Sequence, residues 1–293
     1  MLELTKLQRN KFLDEGFVVV KNVVDPEKIS QIVSRYPLLF KGNFETGVSP
    51  DEFNWKFGRD DPSLTRQICN GWKSDRMIAS VVLREDIGKI CAGLMDWEGA
   101  RLGQDNVIWK PPGARPLAFH QDDSYCGWFE PSFMVTCWLT LDDTSENTGT
   151  IEYVKGSHKW GLFSPAEEFH APENYKKYLF NAAKEINLEK NKIEIIPIKI
   201  SAGDAVIHHG RMWHGSGANR TPSTDRRAIV THCIPANAKF SKNSNLGMGK
   251  VYGKYKNSYN NEMEESIFPI IWSKNNLRSK FIKQYLGSIE QSF

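Results

Sequence analysis

The stretch Phe119-His120-Gln121-Asp122-Asp123 decides how the rest of the chain is interpreted. Successive side chains on a β-strand point to opposite faces, so a strand here would present His120 and Asp122 on one face. An imidazole nitrogen and a carboxylate oxygen, joined by a second histidine from elsewhere, form the triad that leaves coordination positions open on Fe(II). A His-x-Asp triplet is also common on solvated strand ends, so this interpretation needs support from other parts of the chain.

Support comes from residues 202–217 (AGDAVIHHGRMWHGSG), which contain three of the seven histidines. His208 and His209 lie on an apolar, β-branched strand and point to opposite faces, so at most one of them faces a site. His214 lies beyond that strand, just before residues 215–217 (GSG), where glycine lets the backbone approach a metal or ligand closely. We expect His214 to be the third ligand, with His209 as the alternative.

A pair of arginines follows His214 after twelve residues, as Arg226-Arg227-Ala228. On an apolar strand one arginine faces inward and the other outward. A guanidinium is suited to bidentate binding of a carboxylate, so an inward arginine beside iron fits a dicarboxylate cosubstrate. Two exposed surface arginines are the alternative.

These residues belong to a set of short motifs that occur in a fixed order along the chain. The set comprises FLDEGFVVV (12–20), KPPGAR (110–115), HQD (120–122), Trp138 with Asp142-Asp143, GSH (156–158), GD (203–204), HGSG (214–217) and RRA (226–228). It resembles the phytanoyl-CoA dioxygenase family of Fe(II)/2-oxoglutarate oxygenases over about residues 5 to 235. The block from KPPGAR to HQD is similar to that of the ectoine hydroxylases.

The order of predicted elements favours a mainly β fold with flanking helices. Three helices are predicted first: one that begins at or just after Thr5 and ends at Gly16, one that opens at Asp25-Pro26 and runs to about Tyr36, and one over residues 77–97. Short alternating strands follow these helices, and the predicted ligands lie on two distant stretches. This suits a double-stranded β-helix, a jelly-roll or cupin-like barrel, with the N-terminal helices packed on it. No Gly/Ser-rich or Pro-rich linker, low-complexity tract or repeat divides the sequence, so we expect one domain over residues 1–293.

The resemblance implies specific roles for individual residues. The metal ligands are expected to be His120, Asp122 and His214. The contacts to 2-oxoglutarate, with some to substrate, are expected to be Gln104, Asn106, Lys110, Trp138, Ser216 and Arg226. Arg226 aligns with the family's first arginine but lies one residue farther from His214 than usual, so Arg227 remains the alternative.

The implied activity uses Fe(II), 2-oxoglutarate and O2 to oxidise, most simply to hydroxylate, an unactivated C–H, with release of succinate and CO2. Asp122 supports oxidation without halogenation, since related halogenases carry a small residue at that position. Two other classes stay open: a non-catalytic jelly-roll binding module, and a cupin-like metalloenzyme that uses no 2-oxoglutarate. Formation of succinate distinguishes the oxygenase from both.

The substrate is expected to contact Asp123, Tyr125 and Trp128, which follow the metal-binding stretch directly. Asp123 could pair with a cation, which favours a small polar or zwitterionic metabolite. A basic groove for the phosphates of an acyl-CoA is not evident.

Composition argues against several other partners. The net charge is +3 with lysines and arginines dispersed, so nucleic acid is not expected. No apolar run approaches about 18 residues, which argues against a membrane span, and the N-terminus lacks the apolar core of an export signal. The five cysteines are odd in number and lack CxxC spacing, as in reduced core thiols. We expect a cytoplasmic protein with a small-molecule substrate, and its oligomeric state is not predicted.

Two segments are candidates for a lid over the site. Residues 164–191 form a polar, helical insertion between two strands, and residues 239–262 are rich in lysine, asparagine and tyrosine. Between them, residues 133–141 alternate, with an apolar face for packing and a face containing Trp138 that could line a cavity.

Overall fold

The first helix has the boundaries that its sequence predicts. The structure, a computed structural model, describes residues 2–287 and 289. Helix α1 (Lys6–Glu15) begins at Thr5, whose side chain forms a capping box with that of Gln8. It ends at Gly16, which adopts a left-handed conformation with φ of 90° that glycine reaches without strain.

The second helix starts as predicted but is longer than predicted. Helix α2 (Pro26–Phe40) is capped by Asp25 and carries proline in its first turn. We expected it to end near Tyr36, but it continues for another turn because Leu39 and Phe40 are buried in the core.

The segment from Met77 to Trp97 is two helices, where we expected one. Helix α3 (Arg76–Val82) and helix α4 (Glu85–Leu94) are separated by Leu83 and Arg84. The backbone of Arg84 is extended, with ψ of 131°, and so cannot continue a helix. Both helices still bury their apolar sides in the core, as expected from their periodicity.

The other regular elements are mainly strands. In the described part of the chain, three further helices are α5 (Lys177–Glu185), α6 (Gly249–Tyr252) and α7 (Phe281–Leu286). Within the described residues the strands are β1 (Phe17–Val20), β2 (Glu52–Phe53), β3 (Arg66–Cys69), β4 (Gly99–Lys110), β5 (Leu117–His120), β6 (Phe129–Glu130), β7 (Val135–Thr140), β8 (Ile151–Val154), β9 (Ile195–Pro197), β10 (Ala205–His209), β11 (His214–Ser216), β12 (Arg226–Pro235), β13 (Lys239–Phe240) and β14 (Ile270–Ser273).

The strands form two principal sheets. The larger has the order β1-β10-β7-β12-β4-β3-β2, with β14 paired to β4, and the smaller has the order β5-β11-β8-β9. A two-stranded ribbon of β13 and β6 accompanies them. Neither sheet closes on itself within residues 2–287, so the expected jelly-roll is a pair of sheets and not a closed barrel.

The two faces of the larger sheet have different surroundings. On one face, Val135, Cys137 and Leu139 of β7 pack with the N-terminal helices in the main core, as the alternation predicted. On the other face, Thr136 and Trp138 line a cavity. Rows of paired residues cross this cavity face, such as Gln104, His232, Thr136 and His208 on β4, β12, β7 and β10.

All five cysteines are buried and unpaired. Among the described helices, none combines the length and the apolar character that crossing a membrane requires.

Candidate active site

His120, Asp122 and His214 come together between the two sheets. Strand β5 ends at His120, and not beyond Asp122 as we expected, but Gln121 keeps an extended backbone, so Asp122 still points the same way as His120. His214 on β11 pairs directly with His120. One ligand atom from each of the three residues lies within 4.8 Å of the others. This is a donor set that suits Fe(II) and leaves coordination positions free.

Backbone carbonyls orient both histidines. Nδ1 of His120 lies 2.9 Å from the carbonyl of Ala118, and Nδ1 of His214 lies 2.9 Å from that of Met212. A carbonyl only accepts, so each Nδ1 carries the hydrogen and each Nε2 presents its lone pair. These Nε2 atoms lie 3.5 and 3.6 Å from Oδ1 of Asp122. Burial and the proximity of His120 lower the pKa of His214 well below its usual value, which favours the neutral, ligating form.

The two oxygens of Asp122 have different partners. Oδ1 faces the two ligand histidines, while Oδ2 accepts from the Thr136 hydroxyl at 2.5 Å and from Nε2 of His208 at 3.0 Å. Burial raises the pKa of Asp122, but the neighbouring imidazoles, first His214 and then His232, outweigh it and hold this pKa well below its usual range. The carboxylate is therefore ionised and oriented with one oxygen free for a metal.

Two histidines of the site, His208 and His232, were not anticipated. Nδ1 of His208 accepts from the Tyr153 hydroxyl at 2.8 Å, and its Nε2 donates to Asp122. His232 follows Arg226 by an even number of residues on β12, so the same alternation that turned Arg226 inward could have identified it. The His208-His209 pair carried a similar signal, since one of the two had to face inward.

A hydrogen-bond chain leads from the C-terminal segment to Asp122. Its links are Tyr252 Oη to Gln104 Oε1 (2.6 Å), Gln104 Nε2 to Asn106 Oδ1 (2.9 Å), Asn106 Nδ2 to His232 Nε2 (3.0 Å), His232 Nδ1 to Thr136 Oγ1 (2.9 Å) and Thr136 Oγ1 to Asp122 Oδ2 (2.5 Å). Because the last acceptor is a carboxylate, every hydrogen in the chain points towards it. Gln104 and Asn106, expected as cosubstrate or substrate contacts, line the cavity and also hold this chain together.

Arg226 faces the cavity and is 2% exposed. Its Nη2 donates to Ser216 Oγ at 3.1 Å, its guanidinium lies 5.7 Å from the Trp138 ring centroid, and its Nε has no partner. No carboxylate within residues 2–287 forms an ion pair with it. Burial lowers the pKa of Arg226 to about 10, so it stays charged at neutral pH. A buried cation with an unpaired donor fits an anionic ligand.

Arg227 faces the other way and is already paired. Its Nε and Nη2 donate to the two oxygens of Asp142 at 2.9 and 2.6 Å. The strand alternation therefore places Arg226 inward, and the extra residue after His214 does not shift the register.

Lys110 lies behind the cavity wall, although we expected it to contact the cosubstrate. Its Nζ donates to Ser216 Oγ at 2.6 Å and to the carbonyl of Gly217. The Ser216 hydroxyl donates in turn to the carbonyl of Gly149 at 2.8 Å. Lys110 thus supports Ser216, and Ser216 reaches the cavity without a free hydroxyl hydrogen.

Of the three expected substrate contacts, Asp123 lies away from the cavity. It is buried, accepts from the Met134 amide at 3.0 Å and has its other oxygen 3.6 Å from Arg211. Burial, with the charge of Asp122, raises the pKa of Asp123 to about 8. This carboxyl holds the loop that follows His120 and Asp122 and is not available to a ligand.

Tyr125 and Trp128 do line the cavity. The Tyr125 ring lies edge-on to that of His120, at 6.0 Å between centroids. Trp128 packs mainly in an aromatic cluster with Phe240, Tyr252 and Phe268, so only part of its surface meets the cavity.

The alternative ligand His209 lies outside this cavity. Its Nδ1 accepts from the Arg211 amide at 2.9 Å, and its ring lies near those of Phe12 and His158. Burial, with the nearby His158, lowers its pKa to about 4.

The cavity has a volume of about 340 Å³. Both segments that we considered as lids contribute to it: Ala166, Phe169 and His170 from residues 164–191, and Met248 from residues 239–262. The predicted helix in the first segment is limited to α5, and the residues that cover the cavity precede it.

Comparison with protein families agrees with this geometry. The family model for phytanoyl-CoA dioxygenase matches residues 12–228, which is most of the chain. The chain belongs to the phytanoyl-CoA dioxygenase family. The match confirms the expected class, an iron- and 2-oxoglutarate-dependent dioxygenase. Tyr252 and Met248 lie beyond the matched region.

Relatives in this family act on diverse substrates. The chain is 25% identical over 226 residues to a probable alpha-ketoglutarate-dependent hypophosphite dioxygenase of Stutzerimonas stutzeri, covering 76% of each chain. It is 29% identical over 258 residues to human peroxisomal phytanoyl-CoA dioxygenase, covering 81% of this chain and 70% of the human protein.

Solved structures show the same fold. The carbocyclase SnoK from nogalamycin biosynthesis aligns with a TM-score of 0.69 at 21% identity, covering 91% of this chain and 96% of SnoK. EctD from S. alaskensis, with 2-oxoglutarate and 5-hydroxyectoine, aligns with a TM-score of 0.64 at 15% identity, covering 82% of this chain and 79% of EctD. The expected jelly-roll fold is confirmed.

Proposed function

We propose that this family member hydroxylates an unactivated C–H of a small polar or zwitterionic metabolite, with release of succinate and CO2. The observation that carries the proposal is the unpaired, buried Arg226 in the same cavity as His120, Asp122 and His214. One cavity thus offers both a metal donor set and a cation for a dicarboxylate. We also propose that residues 1–293 act as one domain, since the C-terminal segment supplies Tyr252 to the site.

His120 and His214 would bind iron through Nε2, and Asp122 through Oδ1. Bound iron supplies the oxidation of 2-oxoglutarate and substrate by O2. The protein contributes fixed ligands, because the carbonyls of Ala118 and Met212 hold the two imidazoles. Thr136 and His208 hold the Asp122 carboxylate in the same way through Oδ2, so that only Oδ1 is free to turn to the metal.

Arg226 would bind the far carboxylate of 2-oxoglutarate. Ser216 holds one arm of its guanidinium, and the Trp138 ring flanks it. Lys110 acts indirectly by holding Ser216. The pocket is partly desolvated, which strengthens a charge-assisted pair and excludes water from the reacting groups.

A small substrate is favoured by the size and cover of the cavity. Its volume of about 340 Å³ is at the low end for small-molecule sites and has to hold the cosubstrate as well. Tyr125, Phe169 and the part of Trp128 that meets the cavity supply aromatic contact beside the proposed metal ligands. Gln104 and Asn106 bring polar groups to the same wall.

The test starts from anaerobic protein loaded with Fe(II) and 2-oxoglutarate. We expect a visible metal-to-ligand charge-transfer band, and succinate once O2 and ascorbate are added. Metabolites that perturb the band then identify the substrate class. A protein that binds ligands without consuming 2-oxoglutarate would favour a jelly-roll binding module. Turnover of a substrate without 2-oxoglutarate would favour a cupin-like metalloenzyme.

A further inference from the structure

Three side chains that line the cavity carry a formal charge: Glu52, Asp122 and Arg226. In the proposed function, Asp122 faces the metal and Arg226 faces the cosubstrate. Glu52 has no part in either interaction. The formal charge on the cavity wall that is left to contact the substrate is therefore the negative charge of Glu52.

Strand pairing directs Glu52 towards the cavity. Glu52 on β2 pairs with Cys69 on β3, which pairs with Asn106 on β4. Paired residues in adjacent strands share a face, so the three side chains form one row on the cavity side of the larger sheet. Glu52 ends this row at the sheet edge and is half-buried.

The carboxylate next in sequence, Asp51, is by contrast paired with cations. Lys73 and Lys254 lie 2.7 and 3.0 Å from the carboxylate of Asp51, which also accepts from the Tyr255 hydroxyl. Within residues 2–287, no side-chain nitrogen of a lysine, arginine or histidine lies within 4.0 Å of a Glu52 carboxylate oxygen, the distance that defines an ion pair. The Cys69 thiol beside it is neutral, because burial and then the charge of Glu52 raise the pKa of this thiol.

The side chains beside Glu52 are neutral amides. Asn54 and Gln67 line the same part of the cavity, and Nδ2 of Asn54 lies 3.1 Å from Nε2 of His170. They contribute hydrogen-bonding groups without a compensating charge. A half-buried carboxylate at a cavity wall with no cation of its own is suited to receive one from a ligand.

We propose that Glu52 is a specificity-determining residue that binds a cationic amine of the substrate. This inference rests on the proposed function and narrows its substrate to an amine-bearing molecule. Glu52, and not Asp123 as the sequence had suggested, is then the residue that pairs with the substrate cation. An anionic substrate would instead meet an unpaired carboxylate at this wall.

The position of Glu52 also bears on the shape of the substrate. Strand β2 is three strands away from β12, whose His232 lies beside Asp122, and each spacing is about 4.8 Å. The amine and the oxidised carbon therefore belong to opposite ends of an elongated molecule.

The test uses the anaerobic complex of protein, Fe(II) and 2-oxoglutarate. Unbranched aliphatic amines of graded chain length are titrated into it, alongside the alcohols and carboxylates of the same lengths, and perturbation of the charge-transfer band is followed. We expect amines to bind more tightly than the matched alcohols and carboxylates. Glu52→Gln should weaken amine binding by about tenfold or more, the usual loss when a charged hydrogen-bond partner is neutralised.

Two further variants control for structure and for general electrostatics. Glu52→Asp keeps the charge and should retain part of the amine preference. Glu167→Gln removes an exposed charge from the segment that covers the cavity and should leave amine affinity unchanged.

The outcomes separate this inference from the function on which it rests. Equal affinity for the three classes of compound, no binding by any amine, or amine binding unaffected in Glu52→Gln would each overturn the role of Glu52. A wild-type protein that forms no charge-transfer band would instead contradict the proposed function itself.

Discussion

Arg226 and Arg227 are adjacent on β12, yet only Arg227 has a carboxylate partner in the described part of the chain. Arg227 donates two hydrogen bonds to Asp142, whereas the Nε of Arg226 is buried without an acceptor. Strand alternation separates the two guanidiniums onto opposite faces of the sheet. An unpaired buried donor is costly, so Arg226 is the residue expected to gain most from an anionic ligand.

Replacing Arg226 should weaken 2-oxoglutarate binding. Loss of one partner of a buried, charge-assisted pair costs about 2 to 5 kcal/mol. At about 1.4 kcal/mol per tenfold, Arg226→Ala should raise the apparent KM for 2-oxoglutarate at least tenfold. Steady-state assays of succinate formation measure this, with the KM for the other substrate much less affected.

Two variants serve as controls for this prediction. Arg226→Lys should recover only part of the affinity, because an ammonium cannot form the bidentate fork. Arg227→Ala loses its pair with Asp142 but should keep a 2-oxoglutarate KM near that of wild type. An unchanged KM in Arg226→Ala, together with a large rise in Arg227→Ala, would mean that the other arginine binds the cosubstrate.

Removal of any one predicted ligand should abolish iron binding and turnover. Two ligands cannot hold a facial site, so His120→Ala, Asp122→Ala and His214→Ala should each bind no stoichiometric Fe(II) in anaerobic titrations. His209→Ala is the matched control, since His209 lies outside the cavity, and it should retain iron and measurable turnover. Loss of iron in His209→Ala with retention in His214→Ala would contradict the assignment.

Thr136 should influence metal affinity without touching the metal. Thr136→Val keeps the side-chain shape but leaves Oδ2 of Asp122 and Nδ1 of His232 without their shared partner. Groups that orient metal ligands typically contribute 10–100-fold to metal affinity, so Fe(II) should bind about that much more weakly. Thr136→Ser restores the hydroxyl and should recover most of the affinity. Equal Fe(II) affinity in Thr136→Val and wild type would rule out this orienting role.

His209 should make the protein less stable in acid. Its folded-state pKa, lowered to about 4 by burial and by His158, lies below the ordinary value of 6.5. As the pH falls through this interval the unfolded chain takes up a proton that the folded chain does not, so folding stability decreases. The loss from this group is about 3 kcal/mol and is complete once the pH lies below about 4.

His209→Asn is the variant that tests this pH dependence. Its amide oxygen can still accept from the Arg211 amide, but it does not titrate. Urea unfolding at a series of pH values should show a shallower decline below pH 6.5 for the variant than for wild type. Parallel curves would show that His209 does not contribute.

Local patterns in the sequence were sufficient to predict most of the helices and strands around the site. Caps at Thr5 and Asp25, alternation in residues 133–141 and the position of His214 before a glycine turn all describe interactions between near neighbours in the chain. Alternation on β12 likewise required one of Arg226 and Arg227 to face inward, and the resemblance to the family selected Arg226. Helix boundaries were predicted less accurately where burial decided them, as at Phe40, and where the backbone turns out of the helix, as at Arg84.

The sequence by itself determined the family, the type of fold and the histidine and carboxylate that a metal would need, because these depend on residue identity and short spacing. Only the tertiary structure decided what surrounds them. The fold places the Asp123 carboxylate against the Met134 amide and Lys110 behind Ser216, and short spacing in the sequence does not reveal either contact. It also brought His232 and Glu52 to the cavity, because the pairing of strands far apart in the chain determines which polar side chains share a wall.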